Sequence, residues 1–129
     1  MVSRRRFLAA GAALGAARCF GQPVPDLLPA PGGRRVVIVG GGWGGLTAAR
    51  HLRRLAPELE VLLIDRDTAF RSLPLSNSWL VDRTPDAPLQ QDYATAARAW
   101  GYRALRAEVT AIDRERRRLH TAQGALGYD

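Results

Sequence analysis

The clearest hydrophobic pattern along the chain is a strand-like run, a helix-like run and a second strand-like run. Val36–Val39 is an uninterrupted β-branched run, typical of a strand buried on both faces. Apolar residues then recur every three or four positions, which predicts a helix with this apolar face: Leu46, Ala49, Leu52 and Leu55. We expect Pro57 to end the helix and Leu59–Ile64 to form the second strand. The pattern predicts a βαβ unit with parallel strands.

Weaker patterns follow in the second half of the chain. Residues 90–100 have helical spacing with one face made of Tyr93, Ala96, Ala97 and Trp100. Gly101 is expected to end this helix, and residues 102–105 to form a third strand. Residues 86–89 are a Pro-bounded turn before it.

The last part of the chain alternates with a period of two, as strands do. Glu108–Asp113 and Leu119–Ala122 flank an arginine-rich turn at 114–118, which predicts a β-hairpin with a solvated tip. Gly127–Asp129 resembles the beginning of one more strand. We therefore expect 34–129 to be an α/β domain that is incomplete at its C-terminus, a fragment of a longer protein.

The turn between the first strand and the helix is rich in glycine. It consists of Gly40, Gly41, Gly42, Trp43, Gly44 and Gly45, with G-x-G-x-x-G spacing in the first, third and sixth. Gly40 permits a tight turn, Gly42 lets a pyrophosphate approach the backbone, and Gly45 lets the helix pack on the strand. N–H groups near Trp43 and Gly44, together with the helix dipole, favour an anion. A Rossmann-like dinucleotide site is predicted.

Asp65 stands at the end of the second strand, twenty residues beyond Gly45. A carboxylate there can accept hydrogen bonds from both ribose hydroxyls of an adenosine, and it would repel a 2′-phosphate. This argues against NADP, while FAD and NAD both fit the residues.

The segment between Asp65 and residue 90 has no clear period. Residues 66–71 are polar and loop-like, and 72–80 carry Leu73, Leu75 and Trp79. Loops at the carboxyl ends of parallel strands lie on the ligand side. These apolar residues either cover the sheet edge or face a bound flavin, and the sequence favours neither.

The net charge and the N-terminal residues bear on the partners and the cellular location of the protein rather than on its fold. Of 19 basic residues, all arginine, four lie in residues 1–21, and the other fifteen nearly balance twelve acidic residues, so nucleic acid is not an expected partner. Ser3–Leu8 resembles the twin-arginine signal, and the Ala/Gly run 9–17 is too short for a transmembrane helix. Residues 1–21 are therefore predicted to be an export signal to the periplasm, cleaved after Ala17 or Gly21. The Pro-rich residues 22–33 are an extended spacer.

Few residues suit thiol or metal chemistry. Cys19 is the only cysteine and lies in the predicted leader. His51 and His120 have no companions at metal-ligand spacing, so both are interpreted as surface residues. We expect no metal site, and no catalytic side chain is assigned.

Four pieces together resemble one family: the twin-arginine leader, Val36–Asp65, Phe70–Asn77, and Glu108–Asp113 followed by Gly127–Asp129. The chain resembles the N-terminal part of the flavoprotein subunit of flavocytochrome c sulfide dehydrogenase. More widely, it is similar to the FAD-dependent pyridine nucleotide-disulfide oxidoreductases, which include sulfide:quinone reductases and type II NADH dehydrogenases.

The resemblance implies FAD at this first nucleotide site, with the glycine turn at the pyrophosphate and Asp65 at the adenosine ribose. It also implies a backbone contact from Val109 to the adenine, and a cytochrome c or quinone as electron acceptor. In sulfide-oxidising members a redox cysteine falls where this chain has Leu73. Leucine supplies no sulfur for disulfide exchange. The resemblance therefore implies the flavin-binding scaffold but not a redox cysteine for sulfide oxidation at this position.

Two classes of function stay open at this point. One is an exported FAD-dependent oxidoreductase of which this chain is the FAD-binding part. The other is a stand-alone or decayed dinucleotide-binding module, for FAD or NAD, without catalytic activity.

Overall fold

The fold begins with the strand–helix–strand unit that the hydrophobic pattern predicts. A computed structural model describes residues 24–74, 76–83 and 89–129. Strand β1 is Arg35–Val39, helix α1 is Trp43–Leu55 and strand β2 is Glu60–Asp65. The helix begins at Trp43, within the glycine turn, and ends two residues before Pro57. The βαβ prediction is confirmed.

A three-stranded parallel sheet carries this unit. β1 pairs with β2, and β2 pairs on its other side with β5, Arg103–Arg106. β2 is therefore the central strand, and its residues Val61–Ile64 are all buried. β5 is the predicted third strand, shifted by one residue.

The segment between β2 and β5 holds more regular structure than its sequence suggests. β3 (Ala69–Arg71) pairs antiparallel with β4 (Gln90–Asp92), and the short helix α2 spans Ser76–Leu80. Helix α3 runs from Tyr93 to Trp100 and ends at Gly101, whose φ of 71° is left-handed as a glycine cap requires. The prediction of helix from residue 90 was wrong for three residues, which are held as a strand by pairing with β3.

The predicted hairpin is present and is part of a larger sheet. β6 (Val109–Asp113) pairs antiparallel with β7 (Arg118–Thr121), with a register irregularity between Val109 and Ala111. β8, Ala125–Gly127, adds a third antiparallel strand next to β7. The arginine-rich turn lies at the exposed end of this sheet, as expected.

The parallel sheet divides the core into two clusters because alternate residues of a strand point to opposite faces. Val61 and Leu63 pack on the helix side with Ala49 of α1 and Tyr93 of α3. Leu62 and Ile64 pack on the other side with Ala107 and residues of β7 and β8, Leu119 and Leu126. The described chain is thus a helix layer, a parallel sheet and an antiparallel sheet, an α/β fold of Rossmann type.

Arg35 is a buried cation at the start of β1, with 1% of its surface exposed. Its guanidinium donates to both carboxylate oxygens of Glu60 at 3.1 Å and to the carbonyls of Pro29 and Gly127 at 2.9 and 3.4 Å. Its main-chain N–H donates to Asp129 Oδ2 at 2.7 Å. One side chain therefore links the parallel sheet, the sheet of β6, β7 and β8, and the segment before β1.

That preceding segment lies outside helices and strands apart from one β-bridge between Asp26 and Ala125. Leu27 and Leu28 pack on the core cluster of the antiparallel sheet, and Arg118 forms an ion pair with Asp26. The described end of the predicted spacer is therefore docked on the domain.

Two details of the predicted core were wrong. Leu55 is the last residue of α1 and is 75% exposed. β1 is not buried on both faces: its valines and isoleucine are half-buried or exposed, because β1 is an edge of the described sheet. It is β2 that has the predicted double burial.

Some predictions fall outside the described residues. These are the leader at 1–21 with Cys19, the first two residues of the spacer, Leu75 and most of the turn at 86–89. Over the residues that are described, none of the helices has the length and apolar character that a bilayer crossing needs.

Candidate functional site

The glycine turn between β1 and α1 is anchored to the end of β2. Gly40 has a φ of 95°, a left-handed value that favours glycine, and its N–H donates to the Ile64 carbonyl at 2.8 Å. A Cβ on Gly45 would lie 1.9 Å from the Gly40 carbonyl oxygen and 3.4 Å from Ile38 Cγ2. The predicted structural reasons for glycine at 40 and 45, a tight turn and close helix–strand packing, are confirmed.

Gly42 and Gly44 have no such internal reason to be glycine. A Cβ at either position would meet nothing within 4 Å, and both residues are exposed together with Trp43. Gly42 is the N-cap of α1 and has an extended backbone, with φ −65° and ψ −173°. The structure describes every residue of the first turn of α1, and this turn has neither a side-chain cap nor an acidic residue. The helix N-terminus is thus open to an anion, which fits the pyrophosphate of a dinucleotide.

Gly41 differs from its neighbours because it is buried and its N–H faces inward. The N–H donates to Asp65 Oδ2 at 2.7 Å. A Cβ at Gly41 would lie 2.3 Å from Cζ of Tyr93, so the ring of Tyr93 occupies the space beside this residue. Gly41 was predicted with the phosphate-binding set, and in the structure it links Asp65 to the turn.

Asp65 is half-buried at the carboxyl end of β2, and both of its oxygens accept main-chain hydrogen bonds. Oδ2 accepts from Gly41, and Oδ1 accepts from the N–H of Asp67 at 2.8 Å. An ionised carboxylate has about four lone-pair sites, so acceptor capacity is left for a ligand hydroxyl. The backbone bonds fix the carboxylate next to the glycine turn.

A cleft of about 180 Å³ joins the glycine turn, Asp65 and the start of β6. Its lining includes Gly40, Asp65, Arg66, Glu108 and Val109. Val109 lies 44 positions beyond Asp65 in sequence, yet both line this cleft because Ala107 donates its N–H to the Asp65 carbonyl at 2.9 Å. The structure therefore brings together the residues predicted for the ribose and the adenine.

Large apolar side chains are exposed at the start of α1 and in the segment after β3. Trp43 is 59% exposed and meets Phe70 of β3 edge-on, with ring centroids 5.1 Å apart. Leu73 and Trp79 are also exposed. Their exposure argues against the interpretation that they merely cover the sheet edge.

Sequence reasoning missed Tyr93 as a member of this site. Burial, followed by the charge of Asp65 and a hydrogen bond to it, raises the pKa of the Tyr93 phenol to about 12. Its position on the apolar face of a predicted helix signalled only a core residue. The contact with Gly41 comes from pairing between distant strands, which no local pattern encodes.

The two histidines lie away from this cleft. His51 is exposed on α1 and hydrogen-bonds with Arg54, and His120 is half-buried in β7. Within the described ranges, no group of three or more His, Cys, Asp or Glu side chains is arranged to hold a metal ion.

Comparisons with known proteins agree with this geometry. The family model for pyridine nucleotide-disulphide oxidoreductases matches residues 34–128. The chain is 49% identical over 47 residues to the flavoprotein chain of sulfide dehydrogenase (flavocytochrome c) from Chlorobaculum thiosulfatiphilum, a match over 36% of this chain and 98% of that sequence.

Among solved structures, sulfide:quinone oxidoreductase from Aquifex aeolicus superposes with a TM-score of 0.70 and 25% identity over 74% of this chain. Putidaredoxin reductase, in a covalent complex with putidaredoxin, superposes with a TM-score of 0.65 and 33% identity, also over 74%. The matched part spans 23% and 24% of those two chains. The extent of the family match, with the βαβ unit and its acid in place, shows that the chain belongs to the pyridine nucleotide-disulphide oxidoreductase family.

Proposed function

We propose that this chain is the FAD-binding part of an exported flavin-dependent oxidoreductase similar to sulfide dehydrogenase. FAD bound there would supply the electron-transfer chemistry, and the residues of this chain would bind and orient it. Family membership and the identity with a flavoprotein chain support a flavin over a free nicotinamide nucleotide.

The observation that carries the proposal is the hydrogen bond between Gly41 and Asp65 beside the cleft that reaches Val109. The Asp65 carboxylate lies next to an open helix N-terminus, so one dinucleotide could engage both, with its ribose at Asp65 and its pyrophosphate at the helix. Gly42, Trp43 and Gly44 would offer N–H groups to the pyrophosphate, and Gly40 and Gly45 would shape the turn. Asp65 would accept from the ribose, and the Val109 backbone would contact the adenine.

The electron donor and acceptor are proposed only by likeness. One relative is named for flavocytochrome c and another for sulfide and quinone, so a cytochrome c or a quinone is the acceptor class that we propose. Leu73 is exposed in the loop after β3, where the resemblance expects a redox cysteine. We propose that the protein keeps the flavin scaffold but does not oxidise sulfide through a thiol at this position.

Export is proposed from the twin-arginine pattern at Ser3–Leu8. This route carries folded proteins, which would suit a protein that acquires its cofactor before export. Replacing both Arg4 and Arg5 by lysine should leave the protein in the cytoplasmic fraction of a host with this pathway. Periplasmic recovery of the double variant equal to that of the wild type would contradict the assignment.

The cofactor assignment is tested by releasing the small molecule bound to the purified protein. We expect heat or acid to liberate FAD, identified by chromatography and mass. Recovery of NAD alone, or failure of the apoprotein to bind added FAD, would overturn the proposed function.

A further inference from the structure

We propose that Tyr93 is a positioning residue for the nucleotide site: its ring supports Gly41, and its hydroxyl holds Asp65 in the orientation that receives the ribose. The inference rests on the function proposed above. Tyr93 contacts Gly41 but does not line the cleft proposed for the nucleotide, so its role would be to position Asp65 rather than to bind the dinucleotide.

The position of Tyr93 is fixed by the start of α3. Asp92 caps this helix, with Oδ2 accepting from both the N–H and the hydroxyl of Thr95 at 2.7 Å. The Tyr93 N–H donates to the Thr68 carbonyl at 3.1 Å. The β3–β4 pair brings this helix start beside the end of β2. The tyrosine is thus positioned by its own main-chain bond to Thr68 and by the capped start of α3.

The ring fills the space that any side chain at position 41 would need. A Cβ there would lie 2.3 to 2.5 Å from three atoms at the hydroxyl end of Tyr93, and Tyr93 is only 7% exposed. Gly41 in turn donates to Asp65. Tyr93, Gly41 and Asp65 therefore form one contiguous unit, although they come from α3, the glycine turn and β2.

Electrostatics support the contact between the phenol and the carboxylate. The hydroxyl end of the Tyr93 ring lies against Gly41, whose N–H donates to Asp65, and burial together with the nearby charge of Asp65 raises the pKa of the phenol. An ionised carboxylate is only an acceptor, so the phenol must be the donor. Hydrogen bonds to a charged acceptor are stronger than those between neutral groups.

Asp65 needs such support because it lies between two clefts. It lines the cleft that contains Gly40 and Val109, and it also lines a second cleft that contains Thr68, Tyr93 and Leu105. The Tyr93 phenol, which borders the second cleft, would use the acceptor sites of Asp65 that face this second cleft. The remaining acceptor capacity of Asp65 is then directed to the nucleotide cleft.

The test is a double-mutant cycle on FAD affinity, measured by titrating the refolded or deflavinated apoprotein. Tyr93→Phe should weaken FAD binding by about three- to tenfold, since it removes one hydrogen bond to a charged group that is not a direct ligand contact. In an Asp65→Asn background the same substitution should change affinity by less than about twofold, because its effect passes through the carboxylate.

Tyr102→Phe is the matched control. Tyr102 is 6% exposed, belongs to the same core cluster, and its hydroxyl has no hydrogen-bond partner within the described part of the chain. Its loss should leave FAD affinity unchanged. Melting of each apoprotein, followed by circular dichroism, separates loss of fold from loss of binding.

The possible results separate a failure of this inference from a failure of the proposed FAD-binding function. If the wild type binds no FAD, the proposed function falls and takes the inference with it. If the wild type binds FAD, the inference alone is overturned by any of three results: unchanged affinity in Tyr93→Phe, equal weakening in both backgrounds, or equal weakening by Tyr102→Phe. Should Tyr93→Phe fail to fold, phenolate absorbance decides: the Tyr93 pKa must fall in Asp65→Asn, and an unchanged value overturns the inference.

Discussion

The main-chain N–H of Gly41 donates a hydrogen bond to Oδ2 of Asp65 across 2.7 Å, although the two residues are 24 positions apart. The bond joins the turn after β1 to the end of β2 at the edge where parallel strands present their carboxyl ends. Ligands of open α/β sheets bind at this edge. The phosphate-facing and ribose-facing halves of the proposed site are thus one connected structure.

The glycines of the turn should separate into a binding class and a folding class. Gly42→Val places a side chain in open space at a backbone conformation that valine tolerates, so the fold should persist while FAD binding is lost. Gly45→Ala forces a Cβ to 1.9 Å from the Gly40 carbonyl oxygen, so it should lower the melting temperature.

Thermal melting of both apoproteins and FAD titration of the soluble ones check this division. Gly44→Ala is a milder companion, since its Cβ also meets nothing within 4 Å and the fold should be unaffected. A Gly42→Val protein that binds FAD as tightly as the wild type would show that the pyrophosphate does not lie there.

The Arg35–Glu60 pair should contribute more to stability than the neighbouring Arg103–Glu60 pair. Both have N–O distances close to 3 Å, but the side chain of Arg35 is 2% exposed and that of Arg103 is 53% exposed. Glu60→Gln removes the shared counter-charge of both arginines, including the buried one, and should cost about 1–3 kcal/mol. Arg103→Gln removes a surface pair and should cost less than about 1 kcal/mol.

Urea unfolding of the two variants measures the difference. Each substitution removes one charge. Glu60→Gln breaks both pairs and Arg103→Gln breaks only the exposed pair, so the difference between the two losses reports on the pair of Arg35. Equal losses of unfolding free energy would mean that burial of Arg35 does not strengthen its pair.

The raised pKa of Tyr93 predicts a specific loss of stability at high pH. Its folded-state pKa, about 12, lies above the ordinary value of 10.0. Its contribution is therefore complete below pH 10 and is lost as the pH rises towards 12, because the folded state then binds more protons than the unfolded state. Tyr93→Phe should lose less stability over this window than the wild type. Tyr102, whose pKa burial also raises, stays in both proteins, so the comparison isolates Tyr93.

Leu73 tests whether likeness to sulfide dehydrogenase extends to the reaction. We expect the full-length protein to reduce its flavin with sulfide slowly or not at all, because leucine cannot take part in thiol–disulfide exchange. Leu73→Cys alone should restore little unless a second cysteine lies within reach. Anaerobic mixing with sulfide, followed at the flavin absorbance band, is the measurement. Fast bleaching of the unmodified protein would show that this position does not limit the reaction.

The βαβ unit and the hairpin could be predicted because their signals are local. Spacing in α1, the run that forms β2 and the alternation in β6 each lie within one element. β4 could not be predicted: its residues, Gln90–Asp92, are polar and exposed, and they form a strand only through pairing with β3. Pairing of this kind depends on distant parts of the chain.

The candidate site shows the same division. Gly40, Gly45 and Asp65 follow from the motif and its spacing, and the structure gives each a matching contact or backbone angle. The inward role of Gly41 did not follow, because it depends on Tyr93, 52 positions later in sequence and brought there by α3. The exposure of Val39 was also missed, since it depends on which strands flank β1.

The central claim is that Asp65 holds the ribose of FAD, and titration of the apoprotein with FAD tests it most directly. Asp67→Ala is the matched control, because it removes a neighbouring carboxylate whose side chain is 69% exposed and paired only loosely with Arg66 at 3.7 Å. Asp65→Ala should weaken FAD binding by about ten- to a hundredfold, the loss expected for hydrogen bonds to a charged group, while Asp67→Ala stays within about twofold of the wild type. Equal FAD affinity in the wild type and Asp65→Ala would contradict the account.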